Sequence, residues 1–220
     1  GRLIMSSLLL VDGNSIINRA YYATAGRAPM TAPDGTPTGA VNGFFNSVTG
    51  IVKEYAPDHV CVLFDRREPT FRHKMSADYK ATRHGMPDDL AAQMPVVKEI
   101  LDLIGIARME LTGYEADDLI GTLSRQGEQS GMTVYIYSGD HDDFQLISDK
   151  VSVIMPQSGK DKPSRVLYDR QLFEDTYGVS PEVFVQVKAL MGDKSDNITG
   201  IDKVGEKTAF RLIAEYGSVA

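Results

Sequence analysis

Three apolar runs in this 220-residue chain lead into an aspartate: Leu8-Leu9-Leu10-Val11-Asp12, Val62-Leu63-Phe64-Asp65 and Ile136-Tyr137-Ser138-Gly139-Asp140. If the runs are neighbouring parallel strands, their carboxylates share one sheet edge, the place where open α/β folds hold ligands. Two more clusters can join them. Glu115-Ala116-Asp117-Asp118 opens a helical stretch in which Glu115 and Asp118 share a face, and Asp142 lies just past Asp140. Seven acids from four segments repel one another at neutral pH unless cations neutralise them. Oxygen ligands without cysteine select Mg²⁺ or Mn²⁺ over zinc. Two such ions, about 3.5 to 4 Å apart, clamp a phosphodiester for in-line attack by water. The chemistry implied is metal-assisted phosphoryl hydrolysis. Taken singly, each acid has a plainer reading: a first-turn acid is stabilised by the helix dipole by about 0.3 to 1 kcal/mol, and a strand-end aspartate often serves a turn. Their joint placement favours the metal site.

The elements that must position these acids follow from periodicity. Buried strands are expected at Ser7 to Val11, Val60 to Phe64 and Thr133 to Tyr137, with shorter ones at Ala107 to Leu111, Val151 to Met155 and Arg165 to Tyr168. Helices are expected at Ser15 to Ala23, Ala40 to Tyr55, Leu90 to Ile104 and Glu115 to Gln129, with a loop from Ala28 to Gly39. This alternation predicts an α/β fold: a mostly parallel central sheet with helices on both faces. From about Asp169 the pattern turns all-helical, at Arg170 to Tyr177, Pro181 to Met191 and Glu206 to Tyr216. The expected division is an α/β part that carries the strand-end acids, 1–168, and a small helical appendage, 169–220. Met5 reads as a start, and the apolar last helix implies a chain that continues past Ala220.

Hydrophobic residues at 42% and charged residues at 24% exclude a disordered or membrane chain. No apolar run approaches the roughly 20 residues of a membrane span, and no signal peptide opens the chain, so a cytoplasmic protein with no membrane partner is expected. The lone Cys61 sits in an apolar run, which excludes a disulfide framework. A formal charge of −7 argues at first against a nucleic-acid partner. Its distribution argues otherwise, because Arg66 to His84 carries six Lys and Arg against two acids, a local +4. That stretch has no sustained apolar face and is expected to be mobile or arching. Within it Arg72, Lys74, Tyr79, Lys80 and Arg83 interleave cations with rings, a composition suited to single-stranded nucleic acid. A solvated charged face is the plainer alternative. Gly200 to Ala209 has the form of a glycine turn opening a helix. Gly200 and Gly205 there let a phosphate approach the backbone, while Lys203 and Lys207 add charge.

Seven stretches carry a resemblance in order along nearly the whole chain: Val11-Asp12-Gly13-Asn14, Phe64-Asp65-Arg66, Thr70-Phe71-Arg72-His73, Tyr79-Lys80-Ala81-Thr82-Arg83, Gly113-Tyr114-Glu115-Ala116-Asp117-Asp118, Ser138-Gly139-Asp140-His141-Asp142 and Gly192-Asp193-Lys194-Ser195-Asp196-Asn197. Together they resemble the 5′ nuclease family, which includes the 5′-to-3′ exonuclease domain of bacterial DNA polymerase I and the flap endonucleases. The resemblance implies nine metal carboxylates. Asp12, Asp65, Glu115, Asp117 and Asp118 would hold one ion, and Asp140, Asp142, Asp193 and Asp196 would hold or orient the second. It also implies a helical arch over residues 66–88, with Lys80 and Arg83 gripping the scissile phosphate and Tyr79 stacking on a base. Lys80, Arg83 and Asp118 would be catalytic. The Gly200 to Thr208 stretch resembles a helix–turn–helix that holds duplex backbone and a K⁺ ion. The implied substrates are DNA with a free 5′ end or 5′ flap and RNA primers, cut by a monomer during replication and repair, with a polymerase region further along the chain. The sequence departs from the family pattern at His141 (usually Arg), Lys203 (usually Gly), Thr199 and Asp202 (often Pro) and Asp143 (usually apolar). Setting the nine acids aside turns −7 into +2, so the acidic total does not exclude DNA. Two rival readings are a branched-DNA-binding module that does not cut and a related metal-dependent ribonuclease.

Overall fold

The computed structural model describes residues 6–24, 30–83, 85–159 and 164–219. The expected start at Met5, the continuation past Ala220, and part of the 28–39 loop and of the 66–88 arch lie outside them. Six strands form one sheet: β1 Ser7–Asp12, β2 His59–Leu63, β3 Ala107–Met109, β4 Thr133–Tyr137, β5 Val151–Pro156 and β6 Arg165–Tyr168. Their spatial order is β3-β2-β1-β4-β5-β6, parallel throughout except for β6, which runs antiparallel to β5. The carboxyl ends of β2, β1 and β4 are therefore adjacent. Register sets Asp12 level with Leu63 and Val11 level with Tyr137, so Asp65 and Asp140 overhang the same edge from either side of Asp12. The chain winds outward from β1 to β3 and then returns to the other side of β1, which makes this edge the switch point where α/β sheets open a crevice.

Alternation along the buried strands divides the core. Leu9, Val11, Val62 and Phe64 face one side and pack under helices α1 Gly13–Thr24, α2 Gly39–Tyr55 and, beyond two short helices, α5 Gln93–Leu103. Leu10, Cys61, Leu63, Val134 and Ile136 face the other side and pack under α6 Ala116–Gln129. The two short helices are α3 Phe71–Met75 and α4 Asp88–Ala91. The single helix expected from Leu90 to Ile104 is thus split between α4 and α5. Pro95 accounts for the break, since it has no N–H to give the Ala91 carbonyl and its ring crowds that turn.

The helical region comprises α7 Arg170–Tyr177, a 3₁₀ turn Pro181–Val183, α8 Phe184–Met191 and α9 Glu206–Tyr216. It is not purely helical, because a short antiparallel ribbon, β7 Gly192–Asp193 with β8 Ile198–Thr199, lies between α8 and α9. At the ribbon's base a Cβ on Gly192 would stand 2.3 Å from the Gly200 nitrogen, so this backbone crossing needs both glycines. The apolar core is continuous from α6 into this region. Phe144, in the 3₁₀ turn His141–Leu146 that follows Asp140, packs on Tyr168, Phe173, Tyr177 and Phe184 at centroid distances of 4.8, 5.6, 5.9 and 6.0 Å. That ring fixes the turn bearing Asp142 against α7 and α8, and α8 leads directly into Asp193. Phe144→Ala is expected to lower the unfolding free energy by about 3 to 5 kcal/mol, and Phe144→Leu by much less; equal losses in urea denaturation would show that the aromatic cluster is not what holds the turn.

Candidate active site

Each strand-end acid is held by the start of the element that follows. Gly13 follows Asp12 because a Cβ there would lie 2.4 Å from the Phe64 ring and 2.8 Å from the Leu63 carbonyl, so α1 can begin only where no side chain intervenes. Asp12, 5% exposed, accepts from the Ser15 N–H at 2.9 Å and from the Ser138 hydroxyl at 3.1 Å. Asn14 accepts from the Asp65 N–H at 3.0 Å, which ties the end of β2 to α1. Asp65 in turn accepts from the Ala116 N–H at 2.7 Å, the first amide of α6. Asp140 accepts from the Asp142 N–H at 2.9 Å.

One cleft of about 470 Å³ is lined by Asp12, Asp65, Asp117, Asp140, Asp142 and Asp196, with Lys80 and Arg83 among its walls. The acids beside it divide by partner. Arg72 forks onto both oxygens of Asp118 at 2.7 and 2.8 Å, Lys80 donates to Glu115 at 2.7 Å, and Arg83 pairs with Asp196. Lys188, which the sequence reading missed, bridges Asp142 and Asp193 at 2.7 and 2.6 Å. Its place on α8, one turn before Asp193, was the only signal that pointed to it. Among the described residues no ion pair reaches Asp12, Asp65, Asp117 or Asp140.

The titration of these groups follows that division. Burial raises Asp117 to about 8, with the charges of Asp12, Asp140 and Asp65 adding to it. Burial raises Asp12 to about 6 against the pull of the Ser15 N–H, and Asp65 adds to the rise. Burial also pushes Asp118 and Asp193 upward, but Arg72 brings Asp118 below the usual range and Lys188 brings Asp193 to about 2. Asp143, which stands where the family usually has an apolar residue, is 3% exposed, and burial together with Asp117 and Asp12 raises it well above the usual range.

The basic stretch, expected to be mobile or arching, is tied to the rest of the molecule at several points. It is held by charge and main-chain bonds in place of an apolar face: Phe71 N–H to the Gly113 carbonyl and Lys80 N–H to the Asp196 carbonyl, both 2.9 Å, and the Asn197 amide to the Asp78 carbonyl at 2.8 Å. Tyr79 corrects an expectation. It is 9% exposed, donates to Glu115 at 3.0 Å and to Asp196 at 3.2 Å, and stands edge-on to His73, so its ring is not offered to a base. Lys74 is exposed. Gly200, Lys203, Gly205 and Lys207 lie together on the turn into α9, remote in sequence from the strand ends. There Lys203 adopts φ of 64°, the left-handed conformation a glycine would take without cost.

The acids of the cleft offer hard oxygen donors, and among the described residues no cysteine or histidine is in its lining, which fits divalent cations such as Mg²⁺. Among the described residues no group of three His, Cys, Asp or Glu is arranged to hold an ion as it stands. The acids line the cleft without meeting at a point.

Comparison with known proteins places the chain. Residues 7–178 match the model of the 5′-3′ exonuclease N-terminal resolvase-like domain, and residues 179–220 match its C-terminal SAM fold. The chain belongs to the 5′-3′ exonuclease family. It is 40% identical over 215 residues to a 5′-3′ exonuclease of Aquifex aeolicus, covering 98% of this chain and 71% of that one. It is 44% identical over 212 residues to the thermostable DNA polymerase I of Thermus filiformis, covering 96% of this chain. The chain spans about a quarter of the length of such polymerase relatives, 24% in that case. The fold matches the bacteriophage T5 flap endonuclease, solved as a pseudo-enzyme-product complex with DNA and metal ions, with TM-score 0.74, 23% identity and 97% and 76% of the two chains covered. The α/β fold and nuclease class expected from the motifs are those of this family. Among the described residues no helix is long and apolar enough to cross a membrane.

A pH dependence follows from the two raised carboxyls. In this member of the family Asp117 and Asp12 are raised to about 8 and about 6, against 3.8 ordinarily, so the folded chain binds more protons than the unfolded one over that range. Stability then falls as pH rises. Asp193, lowered to about 2, loses its contribution only in stronger acid. In EDTA the melting temperature is expected to fall from about pH 5 to about pH 8, and Asp117→Asn to flatten that fall; a melting temperature that climbs over the range in wild type would contradict the unmet charge.

Proposed function

We propose that this chain is a Mg²⁺- or Mn²⁺-dependent 5′-to-3′ exonuclease and 5′-flap endonuclease that hydrolyses phosphodiesters in DNA and RNA primers during replication and repair. The observation that carries the reading is the cleft itself: four strand- and helix-borne acids without a cation, walled by Lys80 and Arg83. The relatives' names and the DNA and metal ions of the T5 complex point the same way.

Asp12, Asp65, Asp117, Asp140 and Asp142 would hold two divalent ions, with Glu115, Asp118, Asp193 and Asp196 completing or orienting the set. Such ions lower the pKa of water and offset the charge that develops on the leaving oxygen. Lys80 and Arg83 bind the scissile phosphate, for which each must exchange a carboxylate, Glu115 or Asp196, for a phosphate oxygen. Arg72 stays on Asp118 and keeps the start of α6 in place. Water is the nucleophile, and no covalent intermediate forms. Residues 169–220 hold the duplex through the turn from Gly200 to Lys207, where the left-handed Lys203 preserves the backbone path and K⁺ has its place. The chain acts as a monomer.

A 5′-flap duplex incubated with Mg²⁺ and with EDTA tests this directly. Cutting is expected only with Mg²⁺. Asp117→Asn is expected to lower turnover by about 10²- to 10³-fold while flap affinity in Ca²⁺ holds, and Lys80→Ala to weaken both. Tight binding of the flap with no product in Mg²⁺ or Mn²⁺ would make the chain a binding module, and preferential cutting of single-stranded RNA would make it a ribonuclease.

A further inference from the structure

Asp143 has no place among the nine acids of the site, yet it is the described residue whose surroundings are hardest to explain. It is 3% exposed, and its Oδ2 is buried with no hydrogen-bond partner, the sole side-chain atom of that kind among the described residues. A buried carboxylate oxygen without a partner is costly, and native folds retain one where something outside the polypeptide meets it. The groups whose charge bears on Asp143 are Asp117, Asp12 and Asp140, all members of the cleft, with Ser138 beside it. None of the cations of the site serves it: Lys188 is shared by Asp142 and Asp193, Lys80 is on Glu115, Arg72 on Asp118 and Arg83 on Asp196.

Its position follows from its neighbours in the chain. The 3₁₀ turn His141–Leu146 is pinned by Phe144 into the aromatic cluster, and Asp142 is turned to Lys188. Buried there, Asp143 lies within reach of the charges of Asp117, Asp12 and Asp140 and of the Ser138 hydroxyl, which also donates to Asp12. A side chain needed only to fill this space would be apolar, since that removes the desolvation penalty at equal volume.

We infer that Asp143 is a further carboxylate of the cation site, its free Oδ2 accepting a divalent ion or a water in that ion's shell from beneath the Asp12–Asp117–Asp140 cleft. The inference rests on the proposed metal dependence. A buried supporting ligand of this kind is worth about 10- to 100-fold in metal affinity.

The test is Mn²⁺ binding to the DNA-free chain, followed by the electron paramagnetic resonance of free Mn²⁺, together with melting temperature in EDTA. Asp143→Leu and the near-isosteric Asp143→Asn are both expected to weaken Mn²⁺ binding by about 10- to 100-fold. Asp143→Leu is expected also to melt higher than wild type in EDTA and to gain less from added Mn²⁺. Should the leucine variant fail to fold, the asparagine variant decides alone. Asp117→Asn separates the two levels of the argument. If it weakens Mn²⁺ binding while folded Asp143 variants bind as wild type does, Asp143 is a structural residue and the inference falls. If wild type binds no Mn²⁺ at all, the metal reading falls with it.

Discussion

Like charges crowded at the edge of a sheet set the terms for the rest of this molecule. Asp65, Asp12 and Asp140 overhang three adjacent parallel strands, and Asp117 joins them from α6. Nothing in a strand favours that arrangement, so it must be held from outside. The holding groups share one origin: the N–H of Ser15 in the first turn of α1, the N–H of Ala116 at the start of α6 and the N–H of Asp142 in the 3₁₀ turn. Helix starts carry unsatisfied donors and the positive end of the dipole, each worth some 0.3 to 1 kcal/mol to a nearby carboxylate. The fold's alternation of strand and helix supplies one such start per strand end. The topology that gathers the acids thus also supplies part of what makes gathering them tolerable.

The remaining charge is met unevenly, and the unevenness has a use. Cations from the 71–83 stretch and from α8 cover the outer acids, while among the described residues no ion pair reaches the inner ones. Partly exposed ion pairs such as Arg83–Asp196 contribute only about 0.2 to 1 kcal/mol each. Several of them, with a few main-chain bonds, hold the basic stretch in place without locking it. A phosphate offers Lys80 and Arg83 a partner of comparable strength, but the carboxylate each leaves, Glu115 or Asp196, must then be met by another cation. An apolar anchor for the stretch would have added to the cost of exchanging one for the other.

Much of this was legible in the residues, for reasons that also mark where legibility ended. Strands β1, β2 and β4 were readable because strands buried on both faces are continuous apolar runs, and their terminal acids broke those runs sharply. Glu115 to Asp118 was readable as a helix start, though not that Asp117 faces the cleft while Glu115 and Asp118 face the basic stretch; that choice depends on the angle at which α6 lies over the sheet. Pro95 is the residue that breaks α4 from α5, and the regular apolar spacing from Leu90 hid that break. The β7–β8 ribbon, two residues to a strand, is too short to show a period. Lys188 and Asp143 were beyond reach for a common reason: what each does depends on the aromatic cluster around Phe144, assembled from residues far apart in the chain. Tyr79 was misjudged because composition tells which rings are present and not which way they point.

On the proposed function, one consequence of charge balance ties these observations together. A phosphate nearing the cleft meets the field of its inner acids at close range, inside the screening length of about 8 Å at physiological salt. Lys80 and Arg83 attract it only to the extent that Glu115 and Asp196 release them. If they let go with nothing in exchange, two more acids are uncovered beside four already unmet, which the low dielectric of a partly buried site penalises heavily. Release of the basic stretch and neutralisation of the acids therefore favour each other. By the reciprocity of linked equilibria, cations bound among the acids strengthen phosphate binding by the same factor by which phosphate strengthens theirs. The acidic cleft and the basic stretch, which pull in opposite directions when the sequence is summed to a single net charge, act on the substrate as one coupled unit.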